Sequence, residues 1–159
     1  MDGLLVIDKP EGITSHDVVA RLRKILNTKK IGHTGTLDPF ATGLMILVVG
    51  KETKNAMALT KLDKVYEATV VLGQVSSTGD TEGELTAVSD RKPSREEIEQ
   101  VLETFVGEIT QTPPMFSAIK INGVRAYKMA HKGETVEIPT RQVQVFSLEL
   151  VEYAYPELK

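Results

Sequence analysis

The segment at residues 32–43, GHTGTLDPFATG, constrains this chain most, because it places a single carboxylate on a glycine-rich loop between two apolar runs. Gly32, Gly35 and Gly43 allow tight turns and the close approach of a ligand. Pro39 disfavours the helical conformation for Asp38 and favours an extended backbone. The pattern predicts a loop that holds the Asp38 carboxylate toward a substrate, and its alternative is an ordinary Asp-Pro turn without chemistry.

Apolar patterning predicts strands and helices on both sides of this loop. Residues 3–8 are predicted to form a buried strand, and Ser15 to cap a following helix. The apolar positions that share one face of that helix are Val18, Val19, Leu22, Ile25 and Leu26. The continuous apolar run at residues 44–49 is typical of a strand covered on both faces, and residues 51–62 predict a short helix.

The second half of the chain carries weaker signals. Residues 65–72 predict a strand that Tyr66 opens, and residues 75–90 a polar loop with at most one short strand. Ser94 and Glu97 form a capping-box pattern that opens a helix. Its predicted core stripe is Ile98, Val101, Leu102 and Phe105, and its outer face is acidic at Glu96, Glu99 and Glu103.

Three further elements are predicted toward the C-terminus. They are a strand at residues 117–121, a short helix at residues 126–131 after an Asn122-Gly123 turn, and a half-exposed strand at residues 143–150. Strands mixed with helices predict an α/β or α+β sheet protein with mixed strand directions.

The composition is that of an ordinary globular domain without cysteine chemistry. The chain has 159 residues, of which 41% are hydrophobic and 26% charged, so one domain is the simplest count. The absence of cysteine excludes disulfides and thiolate sites, and the three histidines are too dispersed to predict a metal cluster. No apolar run has the length of a membrane span and no signal segment is evident, so a cytoplasmic protein is expected.

Charge is unevenly distributed along the chain. The formal net charge is −3, made up of +3 in residues 1–64, −7 in residues 65–108 and +1 in residues 109–159. The basic residues around the glycine-rich loop are Arg21, Arg23, Lys24, Lys29 and Lys30 before it, and Lys51, Lys54, Lys61 and Lys64 after it. This distribution fits a basic face for phosphates, and it also fits solvated helix surfaces.

Five segments together resemble a known family. They are DKPEGITS at residues 8–15, the loop at residues 32–43, KVYEA at residues 64–68 with LGQ at 72–74, TGDTEG at residues 78–83, and PPMFSAIK at residues 113–120. In this order they resemble the TruB-type tRNA pseudouridine synthases, which isomerise uridine 55 in the T arm of tRNA. The resemblance implies the pseudouridine synthase fold, tRNA as partner, and chemistry that requires neither cofactor nor metal.

The resemblance also implies a role for individual residues. Asp38 falls on the catalytic aspartate, Tyr66 on the tyrosine that packs on the uracil, and His33 on the histidine that fills the space left by the extruded nucleotide. Asp80 resembles the carboxylate that holds an arginine against the catalytic aspartate. Weaker candidates, for motif support or RNA backbone contacts, are Lys9, Lys54 and Lys120. The ordinary alternatives are a core aromatic for Tyr66, a histidine bonded to its own turn for His33, and a solvated turn residue for Asp80.

The family's arginine lies in a later G-T-Y-I-R segment, which has no counterpart up to Lys159. We therefore expect residues 1–159 to be the N-terminal portion of the catalytic domain, with its C-terminal strands and a PUA-type RNA-binding domain absent, and to carry half an active site. Two alternatives stay open: a non-catalytic RNA-binding or tRNA-folding module, and the relative that modifies RNA inside a guide-RNA particle. The sequence leaves the oligomeric state open.

Overall fold

The computed structural model describes residues 1–81, 83–114, 120–121, 124–125 and 138–159, with the backbone alone for residues 120–121 and 124–125. The chain divides into two compact units, unit 1 at Met1–Val65 and unit 2 at Tyr66–Lys159. The candidate loop at residues 32–43 lies in unit 1.

Unit 1 is built on a three-stranded antiparallel sheet. Strands β1 (Gly3–Lys9), β2 (Ile31–His33) and β3 (Gly43–Val49) are arranged in the order β1-β3-β2. Helix α1 (Ser15–Ile25) connects the first two strands, and the third strand leads into a 3₁₀ helix (Gly50–Asn55) and the short helix α2 (Ala56–Thr60). Residues 32–43 therefore span the end of β2, the connecting loop and the first residue of β3.

The core of unit 1 lies between α1 and one face of the sheet. Its buried residues are Val18 and Val19 of α1 with Ile31, Met45, Leu47 and Val49 of the strands. The buried strand predicted at residues 3–8 is formed as β1 but is buried on one face only, because Leu4 and Val6 are exposed while Leu5 and Ile7 pack against the core. Successive side chains of a strand point to opposite faces, and α1 covers one of them.

Helix α1 begins one residue earlier than predicted. Thr14, not Ser15, is its N-cap and forms a reciprocal capping box with Asp17. Hydrogen bonds from the Thr14 hydroxyl and from its backbone N–H lower the pKa of the Asp17 carboxyl. Ile25 was predicted to share the core-facing side of the helix but is 73% exposed, since it is the last helical residue.

The described part of unit 2 contains helix α3 (Arg95–Glu103) and small antiparallel sheets of two or three short strands. Its strands are β4 (Val70–Val71), β5 (Gln74–Ser76), β6 (Leu85–Ala87), β7 (Gly107–Gln111), β8 (Lys120–Ile121), β9 (Val124–Arg125), β10 (Arg141–Val145), β11 (Tyr153–Ala154) and β12 (Glu157–Leu158). The sheets are β11-β12-β4, β5-β6, β10-β7 and β8-β9.

Several predictions for this half need correction. The strand predicted at residues 65–72 is reduced to β4, so Tyr66 opens no strand, and the polar loop at residues 75–90 holds the β5-β6 hairpin. The predicted capping box of Ser94 and Glu97 is confirmed. The predicted core stripe of α3 is wrong for Val101 and Phe105, which are 56% and 48% exposed.

The predicted α/β (α+β) class is confirmed by this mixture of helices and small sheets. The strand pairings of the described residues are all antiparallel, whereas mixed directions were expected. Most of the strand predicted at residues 117–121, the Asn122-Gly123 turn and the helix at residues 126–131 lie outside the described residues. Within the described part of the chain, no helix has the length and hydropathy to cross a bilayer.

Two leucines of β3 allow a matched test of this core. Leu47 is fully buried and Leu44 is 67% exposed, so Leu47→Ala is expected to lower the free energy of unfolding by about 2–5 kcal/mol, against less than about 1 kcal/mol for Leu44→Ala. Urea denaturation of both variants measures the difference. Equal losses in the two variants would show that α1 does not cover the face that contains Leu47.

The capping box of α1 should be sensitive to acid. Because the pKa of Asp17 is lowered on folding, its contribution to stability is fully present at neutral pH and is lost as the pH falls below about 4. We expect Asp17→Asn to be less stable than the parent chain at pH 7, and the gap to shrink on acidification. Urea denaturation at a series of pH values tests this, and a gap independent of pH would contradict it.

Candidate active site

Asp38 lies at the start of a β-turn and is exposed. The Ala41 backbone N–H donates to the Asp38 carbonyl oxygen at 3.1 Å, which closes the turn over residues 38–41 with Pro39 in its second position. The residue itself is exposed to solvent. The predicted exposure of Asp38 is therefore confirmed, while its orientation toward a substrate stays a prediction.

Ser15 fixes the backbone immediately before Asp38. The buried Ser15 hydroxyl donates to the Leu37 carbonyl oxygen at 2.9 Å and accepts from the Leu37 N–H at 2.8 Å. The Leu37 side chain packs against the core of unit 1. One small hydroxyl at the first position of α1 thus satisfies both backbone groups of the residue that precedes the candidate catalytic aspartate.

Lys9 and Gly12 fix the backbone immediately after Asp38. The Lys9 ammonium is fully buried and donates to the carbonyl oxygens of Pro10, Ile13 and Pro39 at 3.0, 2.8 and 3.2 Å. The Gly12 N–H donates to the same Pro39 oxygen at 2.8 Å. Gly12 has a φ of 81°, a conformation that favours glycine.

The segment at residues 9–15 is therefore the support on which the aspartate loop rests. Residues on both sides of Asp38 are anchored while its side chain is exposed. Of the two roles considered for Lys9, the structure favours motif support, because a buried ammonium with three acceptors does not reach RNA phosphates. The sequence reasoning missed the roles of Ser15 and Gly12, although both lie in the DKPEGITS segment that it singled out.

His33 ends strand β2 and is half-buried. Its Nδ1 lies 2.8 Å from the Gly35 carbonyl oxygen, so this nitrogen carries the proton and donates. The imidazole is thus bonded to its own turn, which was the ordinary alternative for this residue. Of the three loop glycines, only Gly43 has a positive φ, at 118°, so the backbone conformation does not require glycine at Gly32 or Gly35, and the close approach of a ligand there stays a prediction.

Basic side chains on the surface of unit 1 remain candidates for phosphate contacts. The exposed ones are Arg21, Lys24, Lys29, Lys30, Lys51, Lys54, Lys61 and Lys64. The Lys64 ammonium donates to the carbonyl oxygens of Thr60 and Leu62. A Cβ added to Gly35 would lie 3.9 Å from Lys64 Cε, so this side chain passes close to the loop.

The other predicted site residues belong to unit 2. Tyr66 is 68% exposed, in irregular backbone before β4. Asp80 is half-buried in the turn between β5 and β6, where its carboxylate accepts from the Thr78 hydroxyl at 2.6 Å. Lys120 begins β8, and its side chain lies outside what the structure describes. Among the described residues, no group of three or more histidine or acidic side chains could hold a metal ion.

The chain is similar in sequence to a known enzyme family over most of its length. The model of the N-terminal domain of TruB family pseudouridylate synthases matches residues 23–159. This chain belongs to the TruB family. It is 52% identical over 158 residues to the tRNA pseudouridine synthase B of Opitutus terrae. The alignment covers 99% of this chain and 66% of that relative.

Further comparisons place this TruB-family chain among longer proteins. It is 49% identical over 154 residues to tRNA pseudouridine synthase B of Geobacillus thermodenitrificans, covering 96% of this chain and 51% of that relative. The structure is similar to one chain of a crystal structure of a Cbf5-Nop10-Gar1 complex, with a TM-score of 0.62 and 29% identity over 98% of this chain and 37% of that one. The TruB-family chain thus spans about half to two thirds of the curated relatives that it matches.

The support that Lys9 provides can be tested by replacing the ammonium with an apolar group of similar length. Lys9→Met leaves the three carbonyl oxygens of Pro10, Ile13 and Pro39 without their shared donor. We expect a loss of about 1–3 kcal/mol in the free energy of unfolding and faster hydrogen exchange at the Gly12 amide. The matched control is Lys61→Met, which alters an exposed lysine of the same unit. Equal stability and exchange in the two variants would contradict the anchoring role.

Proposed function

We propose that this chain supplies the aspartate-bearing half of an active site that converts uridine 55 in the T arm of tRNA to pseudouridine. The reaction breaks the bond between N1 of uracil and C1′ of the ribose, turns the base, and joins C5 to C1′. It is an isomerisation, with a proton lost from C5 and one gained at N1. The observation that carries the proposal is the exposed Asp38 on a turn whose neighbours on both sides are anchored.

The Asp38 carboxylate suits this chemistry in three ways. It can attack C1′, attack the uracil ring, or accept a proton from the ribose. In each case the reacting oxygen must approach the nucleotide in a defined direction, and a backbone anchored through Leu37 and Pro39 supports such positioning. The three routes share one requirement, an ionised and accessible carboxylate.

The comparisons support tRNA as the substrate more than they support the alternative, in which the protein modifies RNA inside a guide-RNA particle. Identity is 52% and 49% to two proteins named tRNA pseudouridine synthase B. It falls to 29% for the Cbf5 complex, and to 27% at a TM-score of 0.56 for an H/ACA RNP bound to a substrate RNA. Exposed basic residues such as Lys29, Lys30 and Lys54 suit contacts to the phosphates of the T arm.

The remaining candidates take supporting roles in this proposal. Tyr66, which is 68% exposed, packs on the target uracil. His33 fills the space that the extruded nucleotide leaves in the T loop, which offsets part of the cost of unstacking it. Asp80 holds an arginine of the complete active site against Asp38. Lys120 contacts the RNA backbone.

Replacing Asp38 separates an enzyme from a non-catalytic RNA module. The chain is joined to the part of the Opitutus terrae relative that lies outside the match, and tritium release from tRNA labelled at C5 of uridine is measured. We expect Asp38→Asn to reduce turnover by at least about 100-fold, because the carboxylate takes part in the reaction, and to leave tRNA affinity within about twofold. A purely RNA-binding or tRNA-folding module would keep its whole function in this variant.

Two controls define the result. Asp63→Asn changes an exposed carboxylate of the same unit and is expected to leave turnover unchanged. The 159-residue chain alone is expected to bind tRNA without releasing tritium. Full turnover by the Asp38→Asn fusion would overturn the catalytic assignment, and turnover by the isolated chain would overturn the half-site hypothesis.

A further inference from the structure

Phe40 differs from the other large apolar residues of unit 1 in being aromatic. Residues 1–65 contain no tyrosine or tryptophan and one phenylalanine, Phe40. The buried core of the unit is made of aliphatic side chains and one methionine, while Phe40 is 41% exposed. Aromatic side chains bury more area than most others and usually stabilise cores. In this unit the one aromatic hydrocarbon ring is placed on the surface instead.

The position of Phe40 ties it to the candidate catalytic residue. It is the third residue of the turn at residues 38–41, two positions after Asp38. Its neighbour Pro39 is anchored by Lys9 and Gly12 through the carbonyl oxygen. Because the backbone of the turn is held in place, ordering this ring against a ligand costs little conformational entropy.

We propose that the Phe40 ring stacks on the nucleobase next to the target uridine. The inference rests on the proposed function, since it assumes that the ribose of that uridine lies at Asp38. Asp38 and Phe40 are separated by one residue, so their Cα atoms are at most about 7.6 Å apart, and the ring is within reach of a nucleotide adjoining the one at Asp38. A base that adjoins the extruded uridine loses its stacking contact with it, and an exposed aromatic face outside the space assigned to His33 can stack on that base.

The two aromatic rings of the loop, those of His33 and Phe40, differ in what they can offer a nucleobase. The imidazole is half-buried and donates through Nδ1 to the Gly35 carbonyl oxygen, so one edge of it is held by its own turn. Phe40 has no polar atom and is more exposed, so its ring meets a base through stacking. Stacking tolerates any base, so Phe40 contributes affinity and position and does not read the identity of the neighbouring nucleotide.

The experiment measures binding of the 159-residue chain to a T-arm stem-loop RNA with 2-aminopurine placed on either side of the target uridine. Phe40→Leu keeps an apolar side chain but removes the aromatic face. It is expected to weaken binding by about 5- to 100-fold and to abolish the fluorescence quenching of one of the two probes. Phe40→Tyr keeps the aromatic face and is expected to retain both properties within about twofold.

The matched control is Val6→Ala, which trims another exposed apolar side chain of unit 1 and is expected to bind as the parent chain does. Thermal unfolding of each variant shows whether it is folded, and the Phe40→Tyr variant tests the inference independently of Phe40→Leu. Parent-like affinity and quenching in Phe40→Leu would overturn the stacking inference and leave the proposed function standing. Failure of the parent chain to bind the stem-loop would overturn the proposed function itself.

Discussion

The interaction on which the candidate site depends is that of the Lys9 ammonium with three backbone carbonyl oxygens. An ammonium has three donors, and a buried one without partners would be costly. Here each donor has an acceptor, one of them on the loop that carries Asp38. The need to satisfy this charge draws residues 10–13 and Pro39 together. The position of the candidate catalytic turn follows from that convergence.

At this site the backbone around Asp38 is held in place, while the Asp38 residue is exposed to solvent. Leu37 packs against the aliphatic core and is bonded through both backbone groups to Ser15. Pro39 is bonded to Lys9 and Gly12. Asp38 lies between these two residues. Its carbonyl oxygen accepts the hydrogen bond that closes the turn, and the residue is exposed to solvent. In the proposed reaction, this arrangement presents the carboxylate without burying it, so the loop does not have to become ordered as the reaction proceeds.

The sequence predicted the features that depend on local chemistry better than those that depend on tertiary contacts. The capping box at Ser94 and the exposure of Asp38 follow from residues a few positions apart, and both were predicted correctly. The exposure of Val101 and Phe105 and the exposed outer face of β1 depend on what covers an apolar surface, which periodicity does not reveal. For the same reason the strand predicted at residues 65–72 is mostly irregular, since a strand needs a partner in register.

The wrong prediction of Ser15 as the N-cap of α1 shows which part of the site local sequence patterns do not predict. Serine is a favoured N-cap, and the pattern Thr14-Ser15 offers two candidates for one capping position. The structure uses Thr14 as the cap, which leaves the Ser15 hydroxyl for Leu37, 22 positions along the chain. The spacing from Thr14 to Asp17 is a local signal for a capping box and favours Thr14 as the cap, whereas the role of the Ser15 hydroxyl depends on a partner that is distant in sequence.

The hydrogen bonds from Lys9 and Ser15 that anchor the aspartate loop share one property. They end on backbone atoms of the loop, namely the Leu37 N–H and carbonyl oxygen and the Pro39 carbonyl oxygen. The required side chains therefore lie in the supporting segment, at Lys9 and Ser15, while exposed loop positions such as Thr36 and Phe40 hold the turn through no side-chain bond. A site built in this way can change the side chains that face its substrate without displacing the carboxylate beside them. This separation is compatible with the two roles that we propose, recognition for Phe40 and reaction for Asp38.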